Sequence, residues 1–471
     1  MLRGLIPLSR CLARELKLSQ RAPRTGSESR KQRRRFVRGS AAGASAFAGK
    51  SGMMRAMKNR AVRITLSAAA VLLLQACAAP ARLQAVPPEL SARAEIPGMP
   101  GVRYIGNGDL SELARIGVES LRKEQEYLAQ QGRTGPLPPA VFLAISGGGD
   151  KGAYTAGLLN GWTAAGTRPE FKIVTGVSTG ALIAPFAFLG EKYDATLTEV
   201  YTKTSPKDVL KPRSLIGGIF SDALADNAPL WALTRKFVTA DLLKEVAAEY
   251  AKGRFLLIGT GDIDARRPVI WDMGKIATYG TPEALNLFVS VLMASAAIPV
   301  GFPPVMIDVE ADGKHYQEMH VDGGTMAQVF AYPPSIRIDQ LSAAAGLTRK
   351  RTLYVIRNAR LDADWAQVER KTVNIGGRAV SSLLQTQGIG DLYRIYTTAE
   401  RDGVDFNLAF IPATFNAVHK EDFDNEYMSK LYDVGYDLAV KGFPWAKLPP
   451  YFATGDAATV AATPAATPAK Q

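Results

Sequence analysis

The sequence is poor in the residues that most often build metal and redox sites. Its 471 residues include two cysteines, Cys11 and Cys77, and three histidines, His315, His320 and His419. Both cysteines precede the expected folded body. They leave it no disulfide framework and no thiolate metal site, so it can fold in either redox compartment. There is no HExxH, no acidic calcium loop and no Cys/His cluster, so we assign no metal and no cofactor and expect calcium-independence. Internal repeats are absent. The apolar run Ile64–Leu74 is too short to span a bilayer comfortably. A hydrophobic share of 47% is ordinary for a globular protein and excludes a wholly disordered chain or a coiled coil.

Acids are scarce at one end only. The net charge is +13, which would ordinarily point to nucleic acid or an anionic surface. Residues 1–76 hold 17 of the 57 Lys+Arg but only Glu15 and Glu28 of the 44 acids. The remainder therefore has 40 bases against 42 acids, close to neutral, and no nucleic-acid partner is expected.

Residues 57–76 run from a basic start (Lys58, Arg60, Arg63) through the apolar stretch to Leu74-Gln75-Ala76 before Cys77. That order is a secretory signal. Its end resembles a bacterial lipobox, with Leu74 at −3 and Ala76 at −1; Gln75 at −2 departs from the pattern. A plain signal peptide or uncleaved anchor is the alternative. Lipidation of Cys77 would anchor the chain stably, because several acyl chains exceed the marginal hold of one. Ala78 lacks the Asp of lipoproteins retained at the inner membrane, so the expected place is the bacterial cell envelope, at the outer membrane and facing periplasm or exterior. Residues 1–56 resemble a transit peptide in composition, and Arg33-Arg34-Arg35-Phe36-Val37 a twin-arginine signal. We favour a third reading, translation starting at Met53, Met54 or Met57, because a signal should lie at the terminus.

Residues 77–105, rich in Ala and Pro, read as a tether. Residues 106–137 carry an amphipathic helix over 109–130, with Leu110, Leu113, Ile116, Leu121 and Leu128 sharing a face. Residues 448–471 read as a low-complexity tail. Between them, apolar strands (141–146, 170–177, 254–263, 267–274, 319–324, 352–359, 406–412) alternate with helices (153–166, 179–190, 282–298, 425–442). This alternation predicts one α/β domain over 138–447, with a mostly parallel sheet covered by helices on both faces.

Three motifs carry chemistry. Gly176-Val177-Ser178-Thr179-Gly180 lies between a strand and a helix, the setting of a nucleophile elbow. Gly147-Gly148-Gly149-Asp150-Lys151-Gly152 follows a strand and opens a helix, so its N–H groups can converge on an oxyanion or phosphate. It is not a P-loop, since Lys151 is followed by Gly152, and GxGxxG matches it only weakly. Asp322-Gly323-Gly324 places a carboxylate at a strand end; an ordinary β-turn is the alternative.

Together these motifs, with ASAAIPVGFPPV (294–305) and LLIGTGDIDARRPVIWDMG (256–274), resemble the patatin-like phospholipase family. The resemblance implies a patatin-like acyl-hydrolase fold, with Ser178 as nucleophile and Asp322 as the base of a dyad. It further implies an oxyanion hole at Gly147, Gly148 and Gly149, Lys151 as the basic residue of the loop, and phospholipid or another acyl lipid at a membrane surface as substrate. Helix 282–298 and residues 205–232 are apolar enough for an acyl channel or lid, or for plain core. Two other readings stay open. The order Ser178, Asp322, His419 is also that of an α/β-hydrolase triad, and His320 shares a strand face with Asp322. A catalytically inactive, lipid-binding lipoprotein is the other.

Overall fold

The structure, a computed structural model, describes residues 81–452 apart from 107, 214–220, 345 and 363–364. The expected signal segment and Cys77 lie outside the described residues. Nine strands form one sheet: β1 (Arg103–Ile105), β2 (Ala140–Ile145), β3 (Ile173–Gly176), β4 (Phe255–Asp262), β5 (Arg267–Asp272), β6 (Val305–Ala311), β7 (Lys314–Asp322), β8 (Arg351–Arg357) and β9 (Asp405–Phe410). The main helices are α1 (Ser111–Gln130), α2 (Gly152–Ala164), α3 (Thr179–Leu189), α4 (Asp194–Lys203), α5 (Ala228–Phe237), α6 (Ala240–Ala251), α7 (Met273–Thr278), α8 (Pro282–Ser295), α9 (Ile338–Ala344), α10 (Thr372–Arg401) and α11 (Asn425–Val440).

The strand order is β1-β5-β4-β3-β2-β8-β9. From β4 through β9 neighbouring strands are parallel, while β1, β5, β6 and β7 pair antiparallel. The fold is thus an α/β fold with a mixed, mostly parallel sheet between helices. Residues alternate between its faces. Leu143, Ile145, Val174, Leu256 and Ile356 meet α2, α3, α8 and α11, while Phe142, Ala144, Leu353, Val355 and Leu408 meet α10 and residues 329–332. Both faces are dry, which is why the strands read as near-continuous apolar runs.

The expected strands and helices appear at their expected places, with differences of detail. Residues 319–322 are the end of a longer strand, β7, which pairs in a hairpin with β6, and Gly323 and Gly324 turn out of it. Residues 81–105 do not behave as a free tether. Arg82 pairs with Asp264 at 2.6 Å, and Ile96 and Val102 are buried. Tyr104 pairs in register with Ile270 of β5. The reason is local: this proline-rich stretch still holds enough apolar residues to close a hydrophobic edge. The start of the expected tail is docked as well, with Leu448 and Phe452 packed on the α10 side of the core. Helix α1 buries Leu113, Ile116 and Leu128 as its pattern predicts, and its buried Glu124 is held by Lys172 at 2.7 Å and Arg349 at 2.9 Å.

Candidate active site

The parallel strands end together, and the three motifs meet at that edge. Ile145 is in register with Gly176, so the chain leaves β2 and β3 side by side. Ser178 sits between β3 and α3 with φ 57° and ψ −128°, a conformation that a non-glycine residue adopts only under strain. Gly180 is required by close approach, since a Cβ there would lie 2.4 Å from the Ile145 carbonyl oxygen. The Ser178 N–H donates to Ser295 Oγ at 3.0 Å, and Ser295 Oγ donates to the Gly259 carbonyl at 2.7 Å. Helix α8 thus clamps the turn from below, and Ser178 is 5% exposed.

Asp322 ends β7 opposite Thr260 of β4. Its N–H donates to the Ala297 carbonyl at 2.9 Å, and its Oδ1 accepts the Gly324 N–H at 2.7 Å. Burial pushes its carboxyl up to about 6, while hydrogen bonding from Ser178 and from the Gly324 N–H pulls the other way. The nucleophile candidate and the base candidate are therefore neighbours in a buried site.

The glycine loop faces both. A Cβ on Gly147 would lie 3.1 Å from Ser178 Cβ. The Gly147 N–H donates to the Gln328 carbonyl at 3.0 Å and is thus engaged within the protein. Among the described residues no acceptor meets the N–H of Gly148, Gly149 or Thr179, the first residue of α3. Those three are candidate donors for an anion. Gly148 is pressed against β8, where a Cβ would lie 2.4 Å from the Asn358 carbonyl oxygen. Lys151 is half-buried and has no charged partner among the described residues. Gly152 and Gly176 are fully buried at the two turns; Gly323 and Gly324 follow Asp322 in a tight turn.

Several supporting residues carried no motif. Asn358 Nδ2 donates to the Ser146 carbonyl at 2.9 Å, its N–H donates to Ser146 Oγ at 2.8 Å, and its Oδ1 accepts from Thr155 at 2.6 Å. This fixes the loop to β8 and α2. The available signal was a polar residue at the C-terminal end of an apolar strand, the edge where α/β sheets place their sites. Asp150 is buried and accepts from His419 Nε2 at 2.6 Å and from the Phe423 N–H at 3.0 Å. His419 therefore braces the glycine loop, and neither Ser178 nor Asp322 is among its hydrogen-bond partners. His320 is fully buried, with Nδ1 on Thr260 at 2.9 Å and Nε2 on Glu318 at 3.1 Å, so both its nitrogens are engaged away from Ser178. His315 lies on the exposed start of β7.

Val177 and Gly323, the neighbours of the two candidate residues, line an apolar cavity with Met326, Val329, Phe330 and Ile395. Neither helix 282–298 nor the described part of residues 205–232 lines it. Phe288, Val291 and Leu292 of α8 are core residues instead. No group of three or more His, Cys, Asp or Glu side chains among the described residues could hold a metal.

Residues 143–333 match the family model of the patatin-like phospholipases. The match spans all three motifs and covers under half of the chain. The cUMP-AMP-activated phospholipase of Escherichia coli is 30% identical over 161 residues, 33% of this chain and 44% of the relative. The chain thus spans less than half the length of the curated relative it matches. Among solved structures, VipD from Legionella pneumophila aligns at a TM-score of 0.29 and 12% identity, over 65% of this chain and 67% of that one. The type III effector ExoU aligns at 0.19 and 15%, over 65% and 53%. Superpositions this loose bear on neither fold nor function.

Proposed function

We propose that this protein is a serine lipid acyl hydrolase, of phospholipase A or lysophospholipase type, working through a Ser178–Asp322 dyad at a membrane surface. The observation that carries the reading is the strained Ser178 neighbouring a buried Asp322 beneath unpaired loop N–H groups. Ser178 Oγ attacks the ester carbonyl and passes its proton to Asp322. The tetrahedral oxyanion is held by the N–H groups of Gly148 and Gly149, joined by that of Thr179 and the positive end of α3. One such donor is worth about 3 kcal/mol of barrier. Collapse expels the alcohol, which takes the proton back from Asp322, and leaves an acyl-enzyme. Water, deprotonated by Asp322, then releases the fatty acid and restores Ser178. The acyl chain enters the cavity behind Val177 and Gly323, and the unpaired Lys151 faces an anionic head group.

The name of the E. coli relative and the family match support a phospholipid substrate. The triad reading is disfavoured because His419 and His320 are bonded elsewhere, and an inactive lipid binder would have no use for the strain at Ser178. A fluorophosphonate probe tests the proposal. One adduct on wild type, absent in Ser178→Ala, is the expected result; equal labelling of both would overturn it. We also propose that Cys77 is acylated and anchors the protein in the bacterial envelope. Radiolabelled palmitate should enter the wild type and not Cys77→Ser.

A further inference from the structure

Helix α10 is longer than the body it crosses. It has 30 residues, ~45 Å, whereas β8 has 7, ~23 Å. The helix passes the C-terminal end of β8 around residues 385–391. There Gln385 Nε2 donates to the Arg360 carbonyl at 2.8 Å, Gly388 abuts the Arg357 guanidinium, and Asp391 accepts the Gln328 N–H at 2.6 Å. Residues 372–384 therefore overhang that end by about 20 Å. This is the sheet edge that carries Ser178 and the glycine loop.

The overhang is two-sided. At ~100° per residue, Ile375, Ala379, Val380, Leu383 and Leu384 fall within an arc of roughly 180°. Asn374, Arg378, Ser381, Ser382 and Gln385 fall on the opposite arc. Apolar arcs of this kind normally face a core, yet Ile375 and Val380 are exposed and Leu383 is 69% exposed. Trp365, in the segment leading into the helix, is 85% exposed. Between 365 and 390 the bases are Arg370, Lys371 and Arg378, and the only acid is Glu369. Two more exposed apolar side chains stand on loops of the same edge. Val300 follows Ala297, which bonds Asp322, and Val418 precedes His419, which bonds Asp150.

We propose that residues 365–384 form an interfacial anchor that beds its apolar arc in an anionic lipid bilayer and seats the site on the membrane. The inference rests on the acyl-hydrolase reading for its purpose and on the exposed arc for its physics. An amphipathic helix with cations on its polar side lies in the plane of an anionic interface, and tryptophan favours that depth. A bilayer covers the apolar arc and supplies the charge opposite to that of the segment.

The test uses the full chain with Cys11→Ser and Cys77→Ser, so that acylation and stray thiols do not contribute. One reporter cysteine, Leu383→Cys or Ser381→Cys, carries an environment-sensitive dye. With phosphatidylcholine vesicles containing phosphatidylglycerol, emission at 383 should shift to the blue and that at 381 should not. Pure phosphatidylcholine should give a smaller shift. Ile375→Asp with Val380→Asp should weaken vesicle partition roughly tenfold. It should also slow vesicle phospholipid hydrolysis while leaving a soluble short-chain ester unaffected. No shift at 383 in protein that co-sediments with vesicles would overturn the proposal. So would a buried signal at 383 before lipid is added, which would mean that this chain or a second copy covers the arc. If the wild type hydrolyses neither substrate, the enzymatic reading fails, and the reporter still decides the anchor.

Discussion

At the scale of single residues, the proposed chemistry turns on what burial does to Asp322. A carboxylate is a weak base in water, and the buried site raises this one to about 6, where it can take a proton from a serine. Two pH effects follow. For activity, kcat/KM should fall as pH drops through about 6 on an acid limb of one proton, and His419→Ala should keep that limb; its loss there would revive the triad. For stability, the folded form holds the proton above its ordinary range. Folding therefore binds a proton between pH 3.8 and about 6, and stability falls as pH rises through that window. At neutral pH the buried charge costs on the order of 3 kcal/mol, so Asp322→Asn should abolish turnover yet raise the denaturation midpoint. Of the residues that build this site, those in glycine motifs were legible, because a tight turn leaves a fixed spacing in the sequence. Ser295 and Asn358 were not, because each acts through one hydrogen bond made across a distance the chain does not encode locally.

At the scale of elements, helix packing explains why some segments read plainly. Helices α2 and α11 meet backbone to backbone. A Cβ on Gly157 would lie 1.9 Å from the Tyr432 carbonyl oxygen. A side chain there has no room, so Gly157→Leu should destabilise by ~3 kcal/mol or more, seen as a lower denaturant midpoint without any change in site chemistry. Both helices were legible from apolar runs with clear stops. The β6–β7 hairpin was missed except at its end, because its strands alternate apolar with charged residues around Asp312-Gly313 and lack the continuous apolar character of the central strands. Helix α10 was missed for a related reason: Gly376-Gly377 and the exposed arc hide its period from a reader looking for a core-facing stripe.

At the scale of the whole molecule, the sheet sets one working edge. Parallel strands deliver Ser178 and the glycine loop to it, an antiparallel strand brings Asp322 back to it, and α10 projects past it. The α/β alternation made this architecture legible. The docking of residues 81–105 was not, since it depends on an open strand edge at β5 that composition does not reveal. The charge excess in residues 1–76 lies outside the described residues; the described body is proposed to meet lipid through an apolar arc and a few cations beside it. The most direct test is fatty-acid release from phospholipid vesicles by the full chain, with a metal chelator present, beside Ser178→Ala and Asp322→Asn. Release by the wild type should be undiminished by chelator, with a loss of roughly 10⁴-fold in each variant. Release that survives in Ser178→Ala, or that the chelator abolishes in the wild type, would contradict the proposed function.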